Sequence, residues 1–251
     1  MSYLLSSLLV IYRLSIFDMW QGISSLDFSP FVLSFKLASI TTLILLFLSI
    51  PIAWKLSQSR SRLKPFWEAI LALPIVLPPS VLGFYILIAL SQHSTLGAFF
   101  SEVFDIKLTF SFTGLVIASC FYSMPFMIQP IQGGFESLQP NMLEASYIAG
   151  KSKFITLLRV ALPNIKPALL TAIIITFAHT VGEFGVVLMV GGSIPGETKV
   201  ASVAVYEMVE TMNYNAAYIY SGIMVLISFI VLLIVYLFNQ KQSRRIGGFG
   251  R

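Results

Sequence analysis

Charged residues are scarce in this chain of 251 residues, of which 11% are Asp, Glu, Lys or Arg. A typical soluble domain has about 25% charged residues, whereas here 57% of the residues are hydrophobic. A soluble protein of this size could not bury so many apolar side chains and still present a charged surface. The composition excludes a disordered chain and a soluble nucleic-acid-binding protein, and it predicts an all-α polytopic membrane protein.

Cysteine and histidine are also rare. With a single cysteine, Cys120, the chain can form neither an internal disulfide nor a cysteine-based metal cluster. We interpret Cys120 as a small buried hydrophobic residue, because it lies inside an apolar run. The two histidines, His93 and His179, are too few to supply the three protein ligands of a catalytic zinc by themselves.

Five apolar stretches are long enough to cross a bilayer, which takes roughly 20 residues of helix. Pro74, Pro78 and Pro79 fall in the second stretch, so we expect that span to be kinked or broken near its middle. A break of this kind is tolerated only where protein or a water-filled cavity satisfies the freed backbone groups. The predicted spans are Phe31–Trp54, Phe66–Leu90, Phe112–Ile131, Ala168–Val190 and Ala216–Phe238.

An N-terminal extension, residues 1–27, precedes these spans. Its apolar part, Tyr3–Phe17, is short, includes Arg13 and lacks the basic start and cleavage site of a signal peptide. Two alternatives stay open: a sixth helix that spans the membrane or lies at its interface, or a translation start at Met19.

Basic residues are concentrated on one side of the predicted membrane. Of the 16 Lys and Arg residues, 12 fall in the segments 55–64, 151–166 and 241–251, which share one side if the five spans alternate. The positive-inside rule places this side in the cytoplasm, so we expect a multi-pass protein of the plasma (cell inner) membrane with a cytoplasmic basic tail, residues 241–251. The same asymmetry accounts for the net charge of +5 without nucleic acid as a partner.

The cytoplasmic segment 134–166 within the transmembrane domain, residues 28–240, carries clear helix punctuation. Pro140 precedes a run of good helix formers, Asn141–Ala149, and Gly150 follows it, which predicts a helix of about three turns. A second, amphipathic stretch follows and ends at Pro163. Its apolar face comprises Phe154, Leu157, Leu158 and Ala161.

The spacing in this segment resembles the EAA loop of the permease subunits of binding-protein-dependent ABC importers. The family pattern is E-A-A, three residues, G, nine residues, I-x-L-P, and this chain departs from it at Ser146 and Val160. In the family this loop is a coupling helix that docks on a separate ATPase subunit; the alternative is an ordinary interfacial helix. The matching positions are Glu144, Ala145, Ser146, Gly150, Val160, Leu162 and Pro163.

Three further motifs, at residues 73–79, 182–185 and 194–198, together with the EAA loop resemble the molybdate/tungstate branch of these permeases, with sulfate permeases next closest. The resemblance implies the type I ABC importer transmembrane fold with five core membrane helices. It also implies a homodimer that transports molybdate, with tungstate as a second substrate, by alternating access. The alternatives are a sulfate/thiosulfate permease, an intramembrane metalloenzyme and an anion channel.

The same resemblance implies the partners. Two copies of an ABC ATPase subunit would bind ATP and Mg, and a molybdate-binding protein would deliver substrate to the outer loops near 92–111 and 191–216. This chain would bind no cofactor and catalyse no reaction. Residues 191–198 resemble a phosphate-binding loop, but Glu197 replaces the required lysine, so we predict a turn there.

Two ionisable residues lie four positions apart in the fourth predicted span, on one helix face. His179 and Glu183 could be metal ligands, could line the translocation path, or could hold helices together by hydrogen bonds. We expect a gating or inter-helix role for Glu183 and close backbone approach at Gly182 and Gly185. The candidate pathway or gate residues are Pro78, Pro79, His179, Gly182, Glu183 and Gly185.

Hydroxyl groups and one lysine complete the polar set in the spans. Lys36 either extends to the membrane surface or draws anions toward the path. The hydroxyls that could donate hydrogen bonds to an oxyanion belong to Ser80, Ser119, Ser123, Thr176 and Thr180.

Overall fold

The computed structural model describes residues 27–247, in which all regular secondary structure is helical. The predicted N-terminal helix lies outside these residues. Helix α1, Ser29–Ser57, contains the first predicted span and starts with Pro30 in its first turn, where a missing N–H costs nothing. The all-helical fold class is confirmed: by length and composition three helices could each cross a membrane, and the number of spans is up to five if each of two bent helix pairs counts as one span.

The second span is broken, as its prolines predict. Helix α2, Lys64–Val76, and helix α3, Pro79–Leu90, meet at an angle of 108°. Leu77 and Pro78 between them are extended, with ψ angles of 137° and 134°. A residue that precedes a proline is driven out of the helical region, and two consecutive prolines impose this twice.

Helix α4, Thr95–Phe104, occupies a segment that we expected to be an outer loop, and helix α5, Phe112–Glu136, contains the third predicted span. Both helices begin at a serine cap. The Ser94 hydroxyl accepts a hydrogen bond from the Gly97 amide at 2.9 Å, and Ser111 caps α5 in the same way.

The segment 134–166, predicted to be cytoplasmic, forms helix α6, Pro140–Ile148, and helix α7, Lys153–Asn164, which includes a π-helical turn at Leu157–Ala161. The predicted short helix is confirmed. In α7 the side chains of Leu157 and Ala161 are buried, but Phe154 and Leu158 are exposed, so the predicted apolar face does not pack as a unit.

The fourth predicted span, Ala168–Val190, is not continuous. Helix α8, Lys166–Val181, ends before residues 182–184, and a separate short helix α9, Gly185–Gly191, follows. Packing overrides the continuous hydropathy at this point, because α9 packs against α3 and α5. Helix α10, Ala201–Glu210, follows next. The chain then continues into helix α11, Tyr214–Gly247, which contains the fifth span.

Helix α5 lies at the centre of the molecule. It packs against α1, α2, α8 and α9, and its side chains Met127, Ile128, Ile131 and Phe135 belong to the largest buried apolar cluster. That cluster also takes in Leu143 of α6 together with Leu157 and Ala161 of α7. Helices α6 and α7 therefore pack into the same core as the spans.

Candidate functional site

The short helix α6, which contains the predicted coupling motif, ends in a left-handed cap. Gly150 has a φ angle of +75°, which an L-residue with a side chain adopts only with strain. The Lys151 amide donates to the Ser146 carbonyl at 3.1 Å, and the Gly150 amide donates to the Tyr147 carbonyl at 2.9 Å. This Schellman-type arrangement satisfies the last carbonyls of the helix and ends it sharply.

The predicted coupling residues divide into an inner and an outer set. Ser146 faces inward, and its hydroxyl lies 2.8 Å from that of Thr156 on α7. This buried contact joins α6 to α7. Glu144, Ala145 and Gly150 are exposed, whereas Val160 and Leu162 on α7 are half-buried and Pro163 is exposed.

Exposed apolar side chains lie around the exposed residues of the motif. The sequence motif did not indicate this apolar surface. Ile148 is 88% exposed and Phe154 is 67% exposed, and Tyr147 and Leu158 are exposed as well. Exposed apolar surface of this kind outside the spans is typical of a protein-binding site. The signal available in the sequence was the run Tyr147–Ile148 next to the glutamate of the motif.

His179 and Glu183 do not share a helix face, because α8 ends at Val181 between them. His179 packs against α5 instead: its Nδ1 lies 3.0 Å from the Ser123 hydroxyl, and its ring stacks on Phe126 with the centroids 3.9 Å apart. Within residues 27–247, no three His, Cys, Asp or Glu side chains are grouped as metal ligands.

Glu183 occupies the break between α8 and α9 and is 3% exposed. Neither of its carboxylate oxygens has a hydrogen-bond partner among the described residues. The Ser119 hydroxyl on α5 is likewise buried and interacts with the Glu183 carboxyl without reaching full hydrogen-bond geometry. The backbone at the break is held differently, because the Ser202 hydroxyl of α10 donates to the Glu183 carbonyl at 2.5 Å.

One of the two glycines at the break is required by close packing. A Cβ atom on Gly185 would lie 2.7 Å from the Cβ of Pro79, so α9 can approach the start of α3 only without a side chain there. A Cβ on Gly182 would make ordinary contacts at 3.7 Å and beyond, so the expected close approach is wrong for Gly182. Pro78 and Pro79 are exposed on the surface of the chain.

The hydroxyl groups proposed as oxyanion donors separate by burial. Ser80 is exposed next to the α2–α3 break. Lys36 is also exposed, with its Nζ 4.6 Å from the ring centre of Phe112. The other four, Ser119, Ser123, Thr176 and Thr180, are buried inside the chain.

A polar cluster joins α2 to α5 on the predicted cytoplasmic side. The Gln132 amide nitrogen donates to Glu68 at 2.5 Å, and the Lys64 ammonium donates to Glu136 at 2.8 Å. Glu68, Gln132 and Glu136 border a groove of about 400 Å³ between the two helices. The cluster ties α5 to α2 up to Glu136, the last residue of α5, and residues 137–139 lead from there to α6.

The outer turn that resembles a phosphate-binding loop is a turn, as predicted. The Thr198 hydroxyl donates to the Gly191 carbonyl at 2.7 Å and closes the loop. Glu207 on α10 accepts from Lys199 at 2.6 Å and from Ser193 at 2.9 Å. The hydrogen bond from Lys199 is the main reason why the pKa of Glu207 lies below its usual range.

Comparison with known proteins assigns the whole arrangement to one class. Residues 38–244 match the family described as the inner membrane component of binding-protein-dependent transport systems. The chain belongs to this family. It is therefore a multi-pass membrane component of a transport system, and the assignment favours neither of the other classes considered, a metalloenzyme or a passive channel.

Two relatives of this inner membrane component are described as molybdenum permeases. The chain is 45% identical to the molybdenum transport system permease protein ModB of Azotobacter vinelandii over 214 residues, covering 85% of this chain and 95% of the relative. It is 32% identical to the putative molybdenum permease YvgM of Bacillus subtilis, covering 86% of this chain and 94% of the relative. The chain is 29% identical to the sulfate permease CysT of Salmonella typhimurium, over a match that covers 78% of this chain and 70% of the relative.

Solved structures of other importers share the fold. A chain of a bacterial ABC transporter that imports alginate superposes with a TM-score of 0.70 at 18% identity, covering 92% of this chain and 84% of that chain. A chain of an amino acid ABC transporter superposes with a TM-score of 0.55 at 15% identity, covering 92% of this chain and 97% of that chain. Both confirm the predicted importer transmembrane fold.

Proposed function

We propose that the chain is the permease subunit of an ABC importer for molybdate, with tungstate as a second substrate. The observation that carries the proposal is the 45% identity to ModB across 85% of the chain, compared with 29% for the sulfate permease CysT. All three anions are tetrahedral dianions, so the geometry of this chain does not separate them, and selectivity belongs largely to the binding protein that delivers the substrate.

ATP hydrolysis would take place on two copies of a separate ATPase subunit, which bind ATP and Mg, while this chain contributes no cofactor site and catalyses no reaction. The exposed apolar surface around Glu144, formed with Ile148 and Phe154, is the docking site that we propose for the ATPase. A rigid helix ended by Gly150 can transmit a displacement of the ATPase to the spans. The Ser146–Thr156 contact and the shared apolar core support this transmission.

We place the translocation pathway between two copies of the chain, beside the broken second span. A pathway between copies is lined by the surface of each copy, and Pro78, Pro79 and Ser80 are exposed there. His179 and Glu183 lie inside one chain, so we assign them to the joint between α5, α8 and α9, where Glu183 has a gating role.

The proposed topology follows the distribution of basic residues. The segments 55–64 and 151–166 and the C-terminal tail are cytoplasmic. The opposite side receives a molybdate-binding protein, and the 191–216 segment, stiffened by the Lys199–Glu207 ion pair, is the larger candidate surface for it.

Uptake of radiolabelled molybdate by cells that lack their own permease, with sulfate as competitor, tests the proposal. We expect uptake that excess tungstate suppresses and excess sulfate leaves largely unchanged. Glu144→Lys and Gly150→Asp should abolish uptake and release the ATPase subunit during purification while the chain still inserts. Glu197→Lys is the matched control, because it makes the same charge change on an exposed residue of the opposite side and should retain the ATPase. Normal uptake in both coupling variants would refute the assignment.

A further inference from the structure

Helix α4 presents an apolar stripe that no other described element covers. At about 100° per residue, Leu96, Phe99 and Val103 fall within about 60° of one another around the helix, and all three side chains are exposed. The polar residues Thr95 and Glu102 run along one edge of this stripe. On the other edge of the stripe lie Phe100, which is half-buried, and Gly97, which is buried, and this side of the helix packs toward α3.

The chain holds α4 at the end of a membrane span. Four residues, 91–94, separate α3 from α4, and four residues reach at most about 14 Å when fully extended. They are folded into a turn instead: the Ser94 amide donates to the Ser91 carbonyl at 2.9 Å, and the Ser94 hydroxyl donates to the Ala89 carbonyl at 2.6 Å. A Cβ atom on Gly97 would lie 2.0 Å from the Ser91 carbonyl oxygen, so the first turn of α4 is pressed against this link.

We infer that α4 lies in the plane of the membrane surface, with the stripe Leu96, Phe99 and Val103 inserted among lipid acyl chains. Ten residues of helix are too short to span the bilayer. The tight link to α3 nevertheless keeps α4 at the edge of the bilayer. An amphipathic helix in this position buries its apolar face at the boundary between headgroups and acyl chains, where aromatic residues are favoured. The rings of Phe99, Phe100 and Phe104 contact one another, with centroids 5.7 to 6.2 Å apart, and supply that aromatic character.

Lipid fits the stripe better than a protein partner does. Its charged neighbours are one acidic side chain at the edge, Glu102, and the pair Asp105 and Lys107 beyond the helix. This leaves the stripe itself without the polar groups that give a protein interface its orientation and specificity. With α4 in lipid, docking of a binding protein falls to the 191–216 segment.

Site-directed spin labelling of the full chain in proteoliposomes tests this inference. In a Cys120→Ala background, single cysteines at positions 95 to 104 carry a nitroxide, and collision with oxygen is compared with collision with a water-soluble nickel complex. We expect the ratio of oxygen to nickel accessibility to rise to maxima at 96, 99 and 103, and to fall at 95 and 102. Position 100, which faces α3, is the matched control and should be shielded from both reagents.

Two outcomes would overturn the inference. High nickel accessibility along the stripe would place it in water, and low accessibility to both reagents would show that protein covers it. The measurement is repeated on the assembled transporter, where protection of a stripe that is lipid-exposed in the isolated chain would identify a partner subunit as its occupant.

By the proposed topology α4 lies in the outer leaflet; this placement rests on the proposed function, whereas insertion of the stripe into lipid does not. Labelling of Lys107→Cys in intact cells by a membrane-impermeant maleimide tests the leaflet separately. Failure of that labelling would reverse the topology and leave the spin-label result standing.

Discussion

The buried carboxyl group of Glu183 offers the sharpest test of how this permease works. The side chain is 3% exposed, and neither oxygen is in full hydrogen-bond geometry with a partner among residues 27–247, although the Ser119 hydroxyl interacts with it. If the carboxyl served only to hold helices together, it would be bonded in this conformation. We therefore expect its partner to be provided in another conformation of the transport cycle, which is what a gating role means in structural terms.

The magnitude follows from the cost of the unpaired group. A buried polar group without a partner costs about 1–3 kcal/mol. Glu183→Leu should therefore raise the free energy of unfolding by about that amount, a factor of roughly 5 to 150 in the unfolding equilibrium, and should still abolish transport. Glu183→Gln keeps the shape and a polar end group, so much of the transport should remain, with stability close to that of the wild type.

Two measurements on the same variants decide the matter. Unfolding of the purified chain by detergent titration reports stability, and molybdate uptake into vesicles reports transport. Glu197→Leu is the control, since it removes an exposed carboxyl and surface substitutions rarely change stability by more than about 0.5 kcal/mol. Normal transport by Glu183→Leu would refute the gating role, and a strong loss of stability in that variant would show that the carboxyl is a structural bond.

Three other predictions concern the cap, the α9 contact and the outer turn. Gly150→Ala adds about 1–2 kcal/mol of strain in the left-handed conformation, so affinity for the ATPase should fall about 5- to 30-fold. Gly150→Asn should keep most of the affinity. Equal affinity of the two variants in a binding titration would contradict this role of the cap. Gly185→Ala should reduce thermal stability and uptake because its Cβ meets Pro79 at 2.7 Å, while Gly182→Ala should be tolerated in both assays. The hydrogen bond from Lys199 lowers the pKa of Glu207, so the ion pair is complete above about pH 4.5 and is lost as the pH falls through the lower pKa of the folded state. A spin label in the 192–200 turn should become mobile below this folded-state pKa, and also in Glu207→Gln at neutral pH. Unchanged mobility would show that the ion pair does not hold the turn.

Local signals predicted much of the fold because they act through the backbone itself. Pro78 and Pro79 cannot continue a helix and they exclude the helical conformation from the residues before them, so the broken span was readable from the sequence. Pro140 and Gly150 bracket α6 for equally local reasons. Hydropathy located the apolar segments because insertion depends on summed apolar area rather than on detailed packing.

Features that depend on packing were not predictable in this way. The run Ala168–Val190 is continuously apolar, yet the helix ends at Val181 because α9 gains a close contact with Pro79 and the Glu183 carbonyl gains a bond from Ser202. Partners so distant in the chain leave no periodic signal. Helix α4 was missed for the opposite reason: its Ser94 cap and its apolar stripe were present in the sequence, but the segment is too short to register as a span.

Bending stiffness is uneven along α5, the helix that leads from the outer surface to α6. The helix has 25 residues and is therefore about 37 Å long, and only residues 137–139 separate it from α6. Pro125 and Pro130 both lie in its inner half, and each removes a backbone hydrogen bond. The backbone of the inner half is therefore easier to bend than that of the outer half, from Phe112 to Met124. A displacement of α6 bends the inner end of α5 first and leaves the outer end in place, so the two ends of the pathway can respond in succession.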